Sequence, residues 1–211
     1  MLSIPKLAFA ITLAVPFVQT TAFAKADPQV EAAVQAVYPA LVRIHVVAEE
    51  GGAGRMQKGR ASGSGTIISP DGYILTNHHV AGRATRITVR LADRQELRAT
   101  LVGTDPLADL AVLKIDRKDL RNPAAPLPVA KFGDSSALEV GDAVLAMGSP
   151  AGVSQSVTQG IVANTEMIAP GGAMRLDGES VGELVRWIGH DAVIFPGNSG
   201  GPLVNLKGEM A

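Results

Sequence analysis

The stretch 196-PGNSGGPLVN-205 sets one serine, Ser199, among three glycines, with Pro196 and Pro202 on either side. Glycine is used where the backbone must take angles closed to other residues, or must come very close to something. A tight loop presenting one hydroxyl and several backbone N–H groups is therefore the expectation. Taken alone, such a loop could be no more than a hairpin turn. Whether the hydroxyl has a base depends on the rest of the chain.

A serine becomes a nucleophile when a base takes its proton and a third group holds that base in the right tautomer. The chain has four histidines: His45, His78, His79 and His190. His45 falls on the polar face of 41-LVRIHVVAE-49, where Val42, Ile44 and Val46 alternate with polar residues in the manner of a half-buried strand. His190 is close to Ser199 in sequence, but nothing directs it there in space. His78 and His79 close 74-ILTNHHV-80, read as the end of a strand. Neighbouring residues on a strand point to opposite sides, so at most one of the pair faces Ser199. The same geometry argues against a zinc site, and no H-E-x-x-H helix is present. For the third member, Asp109 in 105-DPLADLAVLKI-115 opens an apolar run, and a partly buried carboxylate needs a partner. Asp105 precedes a proline and reads as a turn residue, while Asp191 is the main rival.

Chain order separates two folds. Gly197-x-Ser199-x-Gly201 matches the nucleophile elbow of α/β-hydrolases, but there the acid and the histidine follow the serine. Here only twelve residues follow Ser199, and none is histidine. The order His79, Asp109, Ser199 is that of the chymotrypsin-type double barrel.

Composition agrees with an all-β chain. Glycines number 23 and prolines 13 in 211 residues, and short apolar runs recur at 86–92, 96–103, 109–115, 143–149, 157–163, 191–195 and 202–206. Such spacing points to barrels or sandwiches. A hairpin is expected over 64–80, with Pro70-Asp71-Gly72 as its turn. Asp27-Pro28 can cap a short helix bearing Val30, Val34 and Val37 on one face. Two Gly-rich stretches, 49–62 and 169–180, read as mobile loops. The proline-rich 121–132 reads as a connection between two halves. The net charge of -1 gives no field to hold a polyanion. The absence of cysteine excludes disulfides and thiolate chemistry. At the N-terminus, Lys6, the apolar run from Leu7 to Val18 and Ala22-Phe23-Ala24 have the form of a cleavable export signal.

Together, 76-TNHHV-80, 105-DPLADLAVLKI-115 and 197-GNSGGPLVN-205 resemble the HtrA/DegP family of exported serine proteases, and the likeness extends to 147-MGSPAG-152 and 158-TQGIVA-163. The resemblance implies His79 as general base, Asp109 as its orienting acid and Ser199 as nucleophile. Backbone N–H groups of the Gly197-Asn198-Ser199 turn would form an oxyanion hole. Where the family usually has asparagine, this chain has His78 and Phe195. The position six residues before the serine, which decides trypsin-like specificity, is Val193. With Ile194 and Phe195 it is expected to line an apolar substrate pocket.

The organisation so implied is a signal over 1–24, a helix and first β-barrel over 25–120, the connection over 121–132, and a second barrel over 133–211, left incomplete at the C-terminus and with no PDZ domain present. The implied function is endopeptidase action on unfolded or damaged exported proteins, in the periplasm, without cofactor or metal. The implied assembly is a homotrimer in the full-length form, with the three valines of the helix available for it. Inner-membrane association is expected only if the signal stays uncleaved. A non-catalytic chaperone or binding module on the same fold is the alternative.

Overall fold

The structure, a computed structural model, describes residues 27–52, 55–149, 156–168, 174–176, 179–181 and 185–211. The signal read at 1–24 lies outside them. Asp27 caps the first helix, its carboxylate accepting from the Gln29 amide at 2.8 Å, and Pro28 takes the first turn, where its missing N–H costs nothing. Helix α1 (Pro28–Val37) turns Ala33 and Val37 into the core, and Val30 and Val34 pack against it. The valines expected to serve assembly are thus engaged within the chain, Val37 completely.

Strands β1 (Leu41–Gly52), β2 (Arg55–Ile67), β3 (Tyr73–Thr76), β4 (Ala84–Arg90), β5 (Glu96–Asp105) and β6 (Leu110–Ile115) close a barrel in the order β1-β2-β3-β6-β5-β4. Ile44, Ile67, Ile74, Val89, Leu97 and Leu113 are buried completely or nearly so. The turn between β2 and β3 is the expected one: the Gly72 amide donates to the Ser69 carbonyl at 3.0 Å, and Gly72 takes φ 94°. Of the stretch 49–62, read as a mobile loop, the described residues 49–52 and 55–62 belong instead to the antiparallel ladder of β1 and β2, which runs out to the pair Gly52 and Arg55. Backbone pairing holds it there, and backbone pairing leaves no apolar alternation in the sequence.

The rest of the chain forms β7 (Lys131–Phe132), β8 (Ala143–Gly148), β9 (Ser156–Met167), β10 (Met174–Leu176), β11 (Glu179–Val181), β12 (Trp187–His190), β13 (Leu203–Asn205) and β14 (Glu209–Met210). Six of these make an open sheet, β12-β9-β8-β13-β14-β7, and β10 pairs with β11. Part of the other presumed loop, 169–180, is therefore strand, and the remainder lies outside the described residues. The strand expected at 191–195 falls earlier, at β12, and residues 191–195 form an irregular loop leading to Ser199.

The alternation expected for β1 fails at Arg43, which is only 5% exposed. The outer side of β1 is covered at this point, and the guanidinium donates to the Ser149 carbonyl at 2.8 and 3.2 Å, just past β8. One apolar cluster includes barrel residues such as Ile44 and Leu113 together with Leu145, Met147, Val204 and Met210 of the sheet. The seam between barrel and sheet is where the candidate site lies.

Candidate active site

His78 and His79 do not end a strand. β3 stops at Thr76, and residues His78–Ala81 form a single helical turn, α2. The two imidazoles therefore leave the backbone about 100° apart rather than on opposite faces. His78 is 7% exposed, and its Nδ1 lies 2.5 Å from Thr104 Oγ1. His79 meets the acid: its Nδ1 is 2.8 Å from Asp109 Oδ2, and its backbone N–H donates to Oδ1 at 2.9 Å. The Asp109 side chain is 3% exposed and that of His79 21%.

Asp109 is held at every polar atom. Its carbonyl accepts from the His78 amide at 3.1 Å and from Asn77 Nδ2 at 2.8 Å, and its own amide donates to the Pro106 carbonyl at 3.3 Å. Asp109 stands immediately before β6 with φ 52°, in the left-handed region that non-glycine residues seldom enter. An ionised carboxylate only accepts, so the proton between the two side chains belongs on Nδ1. Nε2 is then the basic nitrogen of the ring.

The other aspartates have simpler uses. Asp105 Oδ1 accepts from the amides of Leu107 and Ala108, as a turn residue does. The Asp191 carboxylate accepts from the Ile161 amide at 2.7 Å. That ties it to β9, while the His79 Nδ1 position is taken by Asp109. His45 is exposed on β1, and His190 sits on β12 paired with Val162.

The loop of Ser199 is two turns in succession. The Asn198 amide donates to the Phe195 carbonyl at 3.0 Å with Gly197 at φ 100°, and the Gly201 amide donates to the Asn198 carbonyl at 2.8 Å with Gly200 at φ 83°. A positive φ at the third position is what a type II turn demands, and glycine supplies it without strain. The Asn198 amide is therefore committed to its own turn, which removes it from the expected oxyanion donors. Among the described residues no backbone carbonyl accepts from the amides of Gly197 or Ser199.

Close packing joins this loop to the barrel. A β-carbon on Gly200 would lie 2.2 Å from Thr76 Oγ1 and 2.3 Å from the Ser64 carbonyl, so the Ser199 loop rests against the residues that lead into α2. Val193, Ile194 and Phe195 stand 55%, 54% and 50% exposed on the approach to it. The sequence reading missed Ser64, which is fully buried and bonded to the loop on both sides of Asn198. The one available signal was the flanking pair Gly63 and Gly65, of which Gly63 faces the loop: a β-carbon there would lie 3.0 Å from the Ser199 carbonyl.

A closed barrel, an open sheet beside it and a histidine bonded to a buried aspartate at the seam define a chymotrypsin-like peptidase architecture. The profile of the trypsin-like peptidase domain matches residues 63–211, and the chain belongs to that family. A DegP-like periplasmic serine endoprotease of Pseudomonas savastanoi pv. phaseolicola is 51% identical over 156 residues, which is 74% of this chain and 29% of the relative. One of the same description from Hahella chejuensis is 47% identical over 154 residues, 73% and 29% of the two chains. Among solved structures, the HtrA-type protease AlgW with a tripeptide superposes with a TM-score of 0.71 at 39% identity, covering 87% of this chain and 52% of that one. AlgW with a decapeptide gives 0.68 at 36%, covering 85% and 56%. The chain thus spans under a third of the curated relatives' length and about half of the solved ones.

Proposed function

We propose that this domain is an exported serine endopeptidase that cleaves unfolded or damaged polypeptides in the periplasm. The observation that carries the proposal is the pair His79 and Asp109, bonded at 2.8 Å with the carboxylate buried, beside a glycine-built loop bearing Ser199. Ser199 Oγ attacks the scissile carbonyl carbon while His79 Nε2 takes the hydroxyl proton. Asp109 keeps the ring in the Nδ1–H tautomer and stabilises the imidazolium. The carbonyl oxygen becomes an oxyanion received by the amides of Gly197 and Ser199, each such donor being worth about 3–4 kcal/mol. Collapse breaks the C–N bond and the imidazolium gives its proton to the departing amine. Water then repeats the sequence on the acyl-enzyme and restores Ser199. The periplasmic setting is supported by the export signal at 1–24 and by the printed descriptions of the relatives.

The test is covalent. A fluorophosphonate should label the full-length protein at Ser199 and nowhere else. Ser199→Ala should abolish labelling and lower kcat on casein by about 10⁶. Casein turnover by Ser199→Ala at a rate close to the parent's would overturn the assignment.

A further inference from the structure

We propose that Ser64, on β2, is a positioning residue that sets the oxyanion-binding conformation of the Gly197–Ser199 turn. The inference rests on the reading of Ser199 as nucleophile. The Ser64 hydroxyl donates to the Gly197 carbonyl at 2.6 Å and accepts from the Ser149 amide at 2.8 Å. A serine has one O–H to give, and the Ser149 partner is itself an N–H donor, so the direction of both bonds is determined. The backbone of the same residue is used as fully. The Ser64 amide donates to the Ser199 carbonyl at 2.8 Å, and its carbonyl accepts from Thr76 Oγ1 at 2.7 Å. Ser64 has no exposed surface, so water does not compete for these partners.

The consequence lies in the rotational freedom of Gly197. At φ 100° it sits where glycine is favoured, and glycine is also the residue that most readily leaves such a conformation. Its carbonyl shares a peptide plane with the Asn198 amide, so anchoring that carbonyl limits the ψ rotation through which the Gly197 amide could swing away. The turn bond from the Asn198 amide to Phe195 holds one edge of that plane, and the Ser64 hydroxyl holds the other. The Ser199 carbonyl, in the plane after Ser199, is held by the same residue, so the peptide that carries the Ser199 amide lies between two planes anchored at a single point on the barrel. The far end of the relay is also anchored. Ser149 is 8% exposed, and its carbonyl takes two bonds from the Arg43 guanidinium. Barrel, sheet and catalytic loop meet at one hydroxyl.

The experiment compares Ser64→Ala with the parent in the full-length protein, using a fluorogenic peptide and sites counted by fluorophosphonate labelling carried to completion. Loss of a preorganised oxyanion donor costs about 10²- to 10³-fold, and a loosened one less, so kcat per labelled site should fall about 30- to 100-fold with KM within about threefold. Affinity for a peptide aldehyde, whose hemiacetal oxygen occupies the oxyanion position, should fall in step with kcat/KM. A purely structural role would lower the number of labelled sites and leave kcat per site unchanged, which overturns the proposal. Should Ser64→Ala not fold, Ser64→Cys, similar in size and a weak donor, decides on the same two criteria. Ser199→Ala separates the levels: if it retains parental turnover the serine-protease reading itself fails, whereas a dead Ser199→Ala beside a fully active Ser64→Ala overturns this proposal alone.

Discussion

Asp109 holds φ 52° because each of its polar groups is claimed by the segment from Asn77 to His79 or by its own turn. Left-handed backbone costs an ordinary residue about 1–2 kcal/mol, with asparagine and aspartate the best tolerated. Asp109→Asn should therefore fold like the parent. It replaces a pure acceptor by a group whose N–H₂ cannot accept from Nδ1–H, so the imidazole is turned to the wrong tautomer. We expect kcat to fall by about 10⁴ with a nearly unchanged melting temperature. Asp109→Ala should lose activity and, in addition, stability. Kinetics and thermal melts of both variants check this, and an Asp109→Asn enzyme of parental kcat would remove Asp109 from the role. The residue types and their order were legible in the sequence. The backbone strain was not, because nothing in 105-DPLADLAVLKI-115 distinguishes a left-handed aspartate from one that opens a strand. Nor was the helical turn at His78–Ala81. Four residues are too few for a hydrophobic period, and the preceding apolar alternation simply appeared to run on.

At the scale of elements, two glycines make opposite predictions. A β-carbon on Gly200 would meet a backbone carbonyl at 2.3 Å and the Thr76 hydroxyl at 2.2 Å, at a φ of 83° that side chains rarely adopt. Gly103, at an irregularity in the β5–β6 pairing, has open space around it. Gly200→Ala should cost more than about 2 kcal/mol and abolish turnover, while Gly103→Ala should be neutral or stabilise by up to about 1 kcal/mol. Urea denaturation midpoints decide, and equal effects would contradict the packing described. The loop 191–199 carries a second prediction. No carboxylate stands at Val193, and Asp191 is turned toward β9 by its bond to the Ile161 amide. A Lys or Arg side chain would find no counter-charge there, and burying one unpaired is costly. We expect cuts mainly after Val, Ala or Ile, graded by about 1–3 kcal/mol per methylene. Mass spectrometry of a digested unfolded protein checks it, and cuts mainly after Lys or Arg would refute it. This loop was misread as a strand because Ala192-Val193-Ile194-Phe195 has the composition of one. Its apolar side chains are exposed, and sequence composition does not separate that from a core.

At the scale of the whole molecule, the all-β class and the division into barrel and second sheet follow from strand spacing and chain order. The seam does not, because both faces of β1 are covered there and Arg43 had the pattern of a solvated residue. Assembly is affected in the same way. The α1 valines that sequence periodicity offered to a neighbour are occupied by the chain's own core. A homotrimer, which we propose for the full-length form, could draw from these valines only on the part-exposed Val30 and Val34. Sedimentation at micromolar concentration tests it, with a monomer as the contrary result. The continuous apolar cluster has a further consequence, for how the molecule can be watched. The chain has one tryptophan, Trp187, and it lies on β12 at the edge of the open sheet. A core that does not divide at the seam predicts that barrel and sheet melt together, so the fluorescence of that single indole and the far-ultraviolet signal of all the strands should share one midpoint.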